Sequence, residues 1–312
     1  AIRLWTLDAP GLNDVVIASI KTKMHAISPD VAEGLSQAVD LAEASYQGVV
    51  IWSGDEPFSA GADLQAMLPG FMMGGAAAIN EAEAELQRIM LKIRYASVPV
   101  VAAVRGLALG GGCELAVHSA RRVLHMESYV GLVPGAGGLT YIARRAAENA
   151  ATSTNKDLIP FLTEGFKAAA MASVGTSALE SRSLGYVLDS DVVVPHKDEL
   201  LFTAINEAKA LFAGGYRAPH KRLFPVAGRS GIATITAQLV NMRDGGFISA
   251  HDFHISKLIA EVVCGGQVDA GTLVTEEYLM ALERKAFCSL LTHPKTQERI
   301  MGMMSTGKPV RN

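Results

Sequence analysis

The sequence predicts an α/β body followed by an α-helical C-terminal part. Three observations carry that expectation. Short β-branched runs alternate with helical patterns over the first third of the chain, and two small-residue turns each join a strand end to a helix start. Beyond residue 195, apolar residues recur almost wholly at three- and four-residue spacing. The expected division is 1–195 for the body and 196–312 for the helical part.

Val15 to Ile20 reads as the first strand. Ser28-Pro29-Asp30 then opens a helix through about Ser45, because serine caps and proline suits the first helical position. Gly48 to Trp52 is a second strand and Val98 to Val104 a third, apolar enough to be buried on both faces. Between these two, the Ala/Glu/Leu/Arg-rich stretch from Ala76 to about Ala96 is helical. Strand, helix, strand at this spacing implies right-handed crossovers and a parallel sheet. A last short strand lies within Asp189 to Pro195. Helices follow over Lys197–Phe212, Ser249–Val263, Glu276–Leu291 and Lys295–Met304, with a linker between Gly214 and Arg229.

The composition narrows the function. With 312 residues the chain can bury a real core, and 49% hydrophobic against 19% charged residues excludes disorder. A net charge of −3 argues against nucleic-acid binding by bulk charge. No apolar run approaches the ~20 residues of a membrane span, and no secretory signal opens the chain. A soluble, cytoplasmic protein is expected. The start at Ala1 rather than Met suggests a processed or excised piece of something longer. Cys113, Cys264 and Cys288 form no C-x-x-C pair and read as reduced core thiols.

The two turns are Phe58-Ser-Ala-Gly-Ala-Asp-Leu64 and Gly106-Leu-Ala-Leu-Gly-Gly-Gly-Cys-Glu-Leu115. Glycines at 110 to 112 let the backbone approach a ligand, and the helix that follows offers free N–H groups and its positive dipole end. Such a turn suits a developing negative charge, and equally a tight strand–helix packing. Gly110-Gly-Gly-Cys-Glu-Leu115 lacks the third glycine of a dinucleotide fingerprint, and no G-K-[ST] follows for a phosphate loop. NAD and ATP are therefore not expected.

Ser59-Ala-Gly-Ala-Asp-Leu64, Gly110-Gly-Gly-Cys-Glu114 and Val133-Pro-Gly-Ala-Gly-Gly138, in that order, resemble the crotonase, or enoyl-CoA hydratase/isomerase, superfamily. Lys21-Thr-Lys-Met-His-Ala-Ile27, Lys295-Thr-Gln-Glu-Arg-Ile300 and the ending Thr306 to Asn312 extend the likeness over nearly the whole chain. They look like the hydratase part of a multifunctional 3-hydroxyacyl-CoA dehydrogenase, the fatty-acid oxidation complex alpha subunit. The resemblance implies a crotonase-like spiral of ββα units. It implies hydration of trans-2-enoyl-CoA to 3-hydroxyacyl-CoA in fatty-acid β-oxidation, with a dehydrogenase portion accompanying this one. CoA arrives as part of the substrate, and no metal or redox cofactor is implied. The alternatives are a double-bond isomerase and a non-catalytic acyl-CoA-binding or assembly module. A homo-oligomer, trimer or dimer of trimers, is implied as well, with the helical part capping the site or mediating self-association.

Carried over residue by residue, the resemblance makes the N–H groups of Ala62 and Gly111 an oxyanion hole for the thioester carbonyl. It makes Glu114 a catalytic acid/base, where an ordinary reading would be a dipole-compensating acid at a helix start. Ala60, Asp63, Leu64, Pro134 and Gly135 would border the substrate, and Lys23 either meets a CoA phosphate or is a surface lysine. The second catalytic glutamate is where the sequence departs. Glu127 is the only acid between Glu114 and Pro134, 13 positions after the first and 7 before the second, a shorter stretch than family members carry. Either Glu127 has taken the role, or, the preferred expectation, a loop with that glutamate is missing near Val133-Pro134. His251-x-x-His254 places two imidazoles on one helix face without a third ligand spaced to join them, so no metal site is expected. His118 and His125 read as packed or surface histidines. Met72, Met73, Met301, Met303 and Met304 read as helix-core or interface residues rather than an acyl channel.

Overall fold

The computed structural model describes residues 1–132, 135–306 and 310–312, and of residues 64, 67–74 and 304 the backbone alone. Its elements begin with β1 (Ile2–Trp5), β2 (Val15–Ile20), α1 (Pro29–Ser45), β3 (Gly48–Trp52), α2 (Leu64–Arg94), β4 (Val100–Val104) and β5 (Leu107–Leu109). Next come α3 (Gly111–His118), β6 (Arg121–His125), β7 (Tyr129–Gly131), α4 (Gly138–Thr152), α5 (Ile159–Ala170), β8 (Val174–Gly175), α6 (Ala178–Ser183) and β9 (Val192–Val194). The last are α7 (Leu200–Ala213), β10 (Phe224–Pro225), α8 (Gly228–Asp244), α9 (Ala250–Val263), β11 (Leu273–Val274), α10 (Glu276–Leu291) and α11 (Pro294–Thr306). No described helix is long and apolar enough to cross a membrane.

The chain forms two compact units. The first holds Ala1–Pro69, Ala82–Gly138 and Ala172–Lys221; the second holds Gly70–Glu81, Leu139–Met171 and Arg222–Asn312. The first is built on a six-stranded sheet of order β1-β2-β3-β4-β6-β9, parallel apart from β1. Every residue of β2 and β4 is buried, as expected of strands covered on both faces.

A second, shorter ladder runs beside the large sheet. Ile27 pairs with Ala62, Ser59 with Ala108, and β5 with β7, which in turn pairs with β8. After β2, β3, β4 and β6 the chain therefore makes one short extended stretch in this ladder, and α1, α2 and α3 follow the first three. This repetition is the spiral of ββα units. It also delivers the Ser59–Ala62 segment and β5 to the same place, which builds the site described below.

The division expected after residue 195 lies elsewhere. Helix α7 packs on β3, β4 and β6, burying Leu200, Ala204, Ile205 and Ala208 with Val50, Val101 and Val123. It therefore belongs to the sheet, whereas residues 139–171 group with the helical unit. Helix α2 starts earlier than its composition suggests, but Gly75 (φ 59°, ψ −150°) interrupts it, so the Ala76 start marks a real second segment. In the helical unit, α8 packs on α9, which contacts α5 and α10. There the Glu283 carboxylate accepts the Leu139 and Thr140 N–H groups (3.0 and 3.2 Å) and the Thr140 hydroxyl (3.1 Å), capping α4 from another helix.

One buried ion pair closes the far side of the sheet. Arg122 Nε donates to Asp191 Oδ2 at 2.5 Å, and the same carboxylate accepts the Arg122 and Leu188 N–H groups. Removing one member of such a pair strands the other charge away from water. Asp191→Ala is expected to destabilise the protein by about 3–5 kcal/mol, read by chemical denaturation; an unchanged midpoint would contradict this.

Candidate active site

The first wall of the site is the 58–63 segment. Ser59 is fully buried; its N–H donates to Leu107 O (3.1 Å), its carbonyl accepts the Leu109 N–H (3.0 Å), and its hydroxyl accepts the Gly61 N–H (3.1 Å). On the other side, Ile27 N–H donates to Gly61 O (2.8 Å) and Asp63 N–H donates to Ile27 O (3.0 Å). In a parallel ladder the residue between two such bonds turns its own N–H away from the partner strand. The Ala62 N–H consequently faces away from Ile27, and it donates to no described residue.

The second wall is the glycine turn. Gly110 (φ 52°, ψ −119°) caps α3 in a conformation that strongly favours glycine, and its N–H donates to Gly131 O at the end of β7 (3.0 Å). A Cβ at Gly112 would lie 2.7 Å from Ser59 O, so the two turns touch through main chain. Gly111 is the first residue of α3, where an N–H has no acceptor within its helix. An ideal Cβ at Gly111 would lie 3.6 Å from Ala62 N, and one at Gly61 would lie 3.4 Å from Gly111 N. Two uncommitted amides thus sit side by side, and Ala62 and Gly111 are half-buried while Gly61, Gly110 and Gly112 are buried.

Glu114 lies three residues beyond Gly111, on the same face of the first helical turn. It is only 2% exposed, and its Oε1 accepts the N–H groups of Gly135 (3.2 Å), Ala136 (2.8 Å) and Gly138 (2.8 Å). The glycine-rich 135–138 turn is therefore wrapped around this carboxylate. Gln87 on α2 holds the same turn from behind, donating from Nε2 to Gly135 O (3.0 Å). Neighbouring Cys113 is fully buried; burial first, then the Glu114 charge, pushes its thiol well above the usual range and keeps it protonated and inert. Burial likewise raises Cys264 to about 12.

The other expected site residues are placed as follows. Glu127 is exposed, in the turn between β6 and β7. Three residues lie between it and Gly131, the β7 residue whose carbonyl accepts the Gly110 N–H. Asp63 caps α2, its Oδ1 accepting the Ala66 N–H (3.0 Å). Ala60 N–H donates to Met24 O, and Gly135 is held at both its N–H and its carbonyl by Glu114 and Gln87, so neither presents that N–H to a ligand. Lys23 is exposed. Pro134, the Val133-Pro134 junction where a missing loop is expected, and the side chains of Leu64, Met72, Met73 and Met304 lie outside the described residues. Gln87 and the carboxyl of Glu83, buried one turn before it, were not legible in the sequence. An Ala/Glu-rich helix gives no sign of which polar residue faces inward.

Residues 15–175 match the family described as Enoyl-CoA hydratase/isomerase. The chain belongs to that family. Among curated members of known name, it is 36% identical over 313 residues to the probable 3-hydroxyacyl-CoA dehydrogenase of Bacillus subtilis, covering 96% of this chain and 38% of that protein. It is 35% identical over 119 residues to the fatty acid oxidation complex subunit alpha of Pseudomonas putida, covering 35% of this chain and 16% of the relative. The chain thus spans less than two fifths of the relatives' length. The crotonase fold is shared with an enoyl-CoA hydratase/isomerase from Xanthobacter autotrophicus (TM-score 0.54, 16% identity, 99% and 98% coverage). An enoyl-CoA hydratase from Bacillus anthracis shares it too (TM-score 0.52, 20% identity, 99% and 98% coverage).

Elsewhere, in the helical unit, the structure adds a third imidazole to the expected pair. His293 stacks on His251 (ring centroids 4.5 Å) and leans on His254 (5.2 Å). Rings that lie face to face do not converge their nitrogens on one point, and among the described residues no group of three His, Cys, Asp or Glu is arranged to hold a metal ion. The His251 Nε2 pairs with Thr296 Oγ1 (2.9 Å). Burial, then Arg299, His293, His254 and Lys295, lower the His251 pKa from 6.5 to about 4. Above pH 6.5 the ring is neutral folded or unfolded. Between 6.5 and 4 the unfolded chain binds a proton that the folded one refuses, so stability falls as pH falls through that window. The melting temperature of the wild-type protein should drop more steeply over this range than that of His251→Gln; parallel profiles would contradict the assignment.

Proposed function

We propose that the chain acts on acyl-CoA thioesters, with the Ala62 and Gly111 N–H groups receiving the thioester oxygen and Glu114 moving the proton, and that it hydrates a trans-2-enoyl-CoA in fatty-acid β-oxidation. The observation that carries this reading is the adjacency of two uncommitted amides one helical turn from a buried carboxylate. Amides held by the fold stabilise an oxyanion without reorganising as it forms. As water oxygen bonds to the β-carbon, its proton passes to Glu114 and the double-bond electrons move onto the thioester oxygen. The enolate then collapses, and the α-carbon takes the proton from Glu114. Atoms and charge balance with one carboxyl, and no electrons leave the substrate. The product is a 3-hydroxyacyl-CoA, the compound class for which the Bacillus subtilis relative is named.

A second reading, double-bond isomerisation, which one carboxyl plus the two amides can serve, draws support from the exposure of Glu127 in the turn between β6 and β7. Glu114 can take a proton from the α-carbon of a 3-enoyl-CoA, leaving a dienolate whose oxygen lies at the same two amides, and return it to the γ-carbon. Product analysis separates the two: a 3-hydroxyacyl-CoA from hydration, a shifted double bond from isomerisation.

A proton-transfer role for Glu114 implies loss of rate without loss of binding. Glu114→Gln should lower turnover roughly 10²–10⁴-fold while retaining acyl-CoA affinity, measured by loss of enoyl absorbance and by calorimetry. Acyl-CoA binding by the wild-type protein without any turnover would overturn the enzymatic reading in favour of a binding module.

A further inference from the structure

The direction of the Ala62 N–H depends on the 22–27 turn, because Ile27 supplies both hydrogen bonds that flank Ala62. That turn is unusual. Met24 (φ 55°) and His25 (φ 49°) are consecutive non-glycine residues in the left-handed region, a conformation that persists only where surrounding contacts enforce it. Three contacts do so here. Thr22 Oγ1 donates to Ala26 O (2.6 Å), Met24 O accepts the Ala60 N–H (3.1 Å), and the buried His25 ring places Nδ1 2.6 Å from Pro57 O. A carbonyl only accepts, so Nδ1 carries the proton. The second ring nitrogen, Nε2, faces Asp55 Oδ1 at 3.3 Å.

These contacts close a loop. From Met24 the path runs through His25 and its ring to Pro57, along the chain to Ala60, and back by hydrogen bond to Met24. The next two residues are Gly61 and Ala62. On the opposite side, Ile27 Cδ1 would lie 3.0 Å from a Cβ at Gly111, so the same turn also abuts the second amide.

We propose that His25 is a positioning residue for the Ala62 amide: its ring ties the left-handed turn to the 55–58 loop and so sets where that N–H points. This rests on the acyl-CoA reading above. The role acts through Pro57 and Met24, not through contact with substrate. Asparagine should substitute, because its side-chain amide nitrogen lies where His Nδ1 lies and asparagine tolerates the left-handed region. Glycine keeps the backbone freedom but leaves Pro57 O without its donor.

The experiment uses the full chain with His25→Gly and His25→Asn. It reads steady-state kinetics and the red shift of a conjugated dienoyl-CoA on binding, which reports polarisation of the thioester carbonyl apart from turnover. His25→Gly should lose kcat by roughly 10–10²-fold with KM changed far less, together with most of the red shift, and His25→Asn should rescue both. A merely structural role would lower the melting temperature of His25→Gly and leave kcat per folded molecule and the red shift intact; that result overturns the proposal. A wild-type protein that neither shifts the probe nor turns over substrate overturns the acyl-CoA reading itself, and the positioning role with it.

Discussion

The site depends on one close approach, in which two strand-to-helix turns meet main chain to main chain. A side chain at Gly112 would collide with Ser59 O at 2.7 Å, and one at Gly61 with Leu109 O at 2.9 Å. Only glycine at these points lets the 58–62 segment lie against β5 and the start of α3. The Ser59–Ala108 bridge then fixes the register, and Ile27 holds the Gly61 carbonyl and the Asp63 N–H on either side of Ala62, turning the Ala62 N–H the other way. What is left, the Ala62 N–H and the first N–H of α3, is left together. Separation of the two turns by the width of a methyl group would leave the same residues without a shared focus.

The same economy explains Glu114. A carboxylate buried at the start of a helix is costly unless donors surround it, and the 135–138 turn supplies three main-chain N–H groups to one of its oxygens. The carboxylate organises the turn and the turn fixes the carboxylate, with Gln87 bracing the arrangement from α2. The proposed catalytic acid, Glu114, is thus part of the turn's own architecture. Chemistry that cycles one proton through one carboxyl is compatible with such a site, whether the proton comes from water or from carbon.

Much of the scaffold was legible because burial leaves local periodic marks. β2, β3, α1, α9 and α10 fall where their apolar spacing and caps put them, and Ser28 caps α1 as expected, its hydroxyl accepting the Val31 N–H (3.3 Å). The alanine-rich helices α4 and α5 and the short strands β1, β5 and β7 carry too weak a pattern to read alone, and α8 starts inside a glycine- and proline-rich stretch that reads as a linker. At the site, the two turns and Glu114 announce themselves by small residues before a helix. Their partners do not: Gln87 is 48 residues from Gly135, and His25 is 32 from Pro57. Glu127 is exposed in the turn between β6 and β7, a placement that its distance along the chain from Glu114 does not reveal. His293 shows the converse, a third imidazole brought to His251 by folding alone.

The central claim is convergence of the Ala62 and Gly111 amides on one oxygen. A crystal structure of the protein with a bound, unreactive acyl-CoA tests it most directly. The account predicts the thioester oxygen at roughly 2.7–3.1 Å from both nitrogens, with the α-carbon facing Glu114. A thioester oxygen directed elsewhere, or bonded to only one of the two amides, would contradict it.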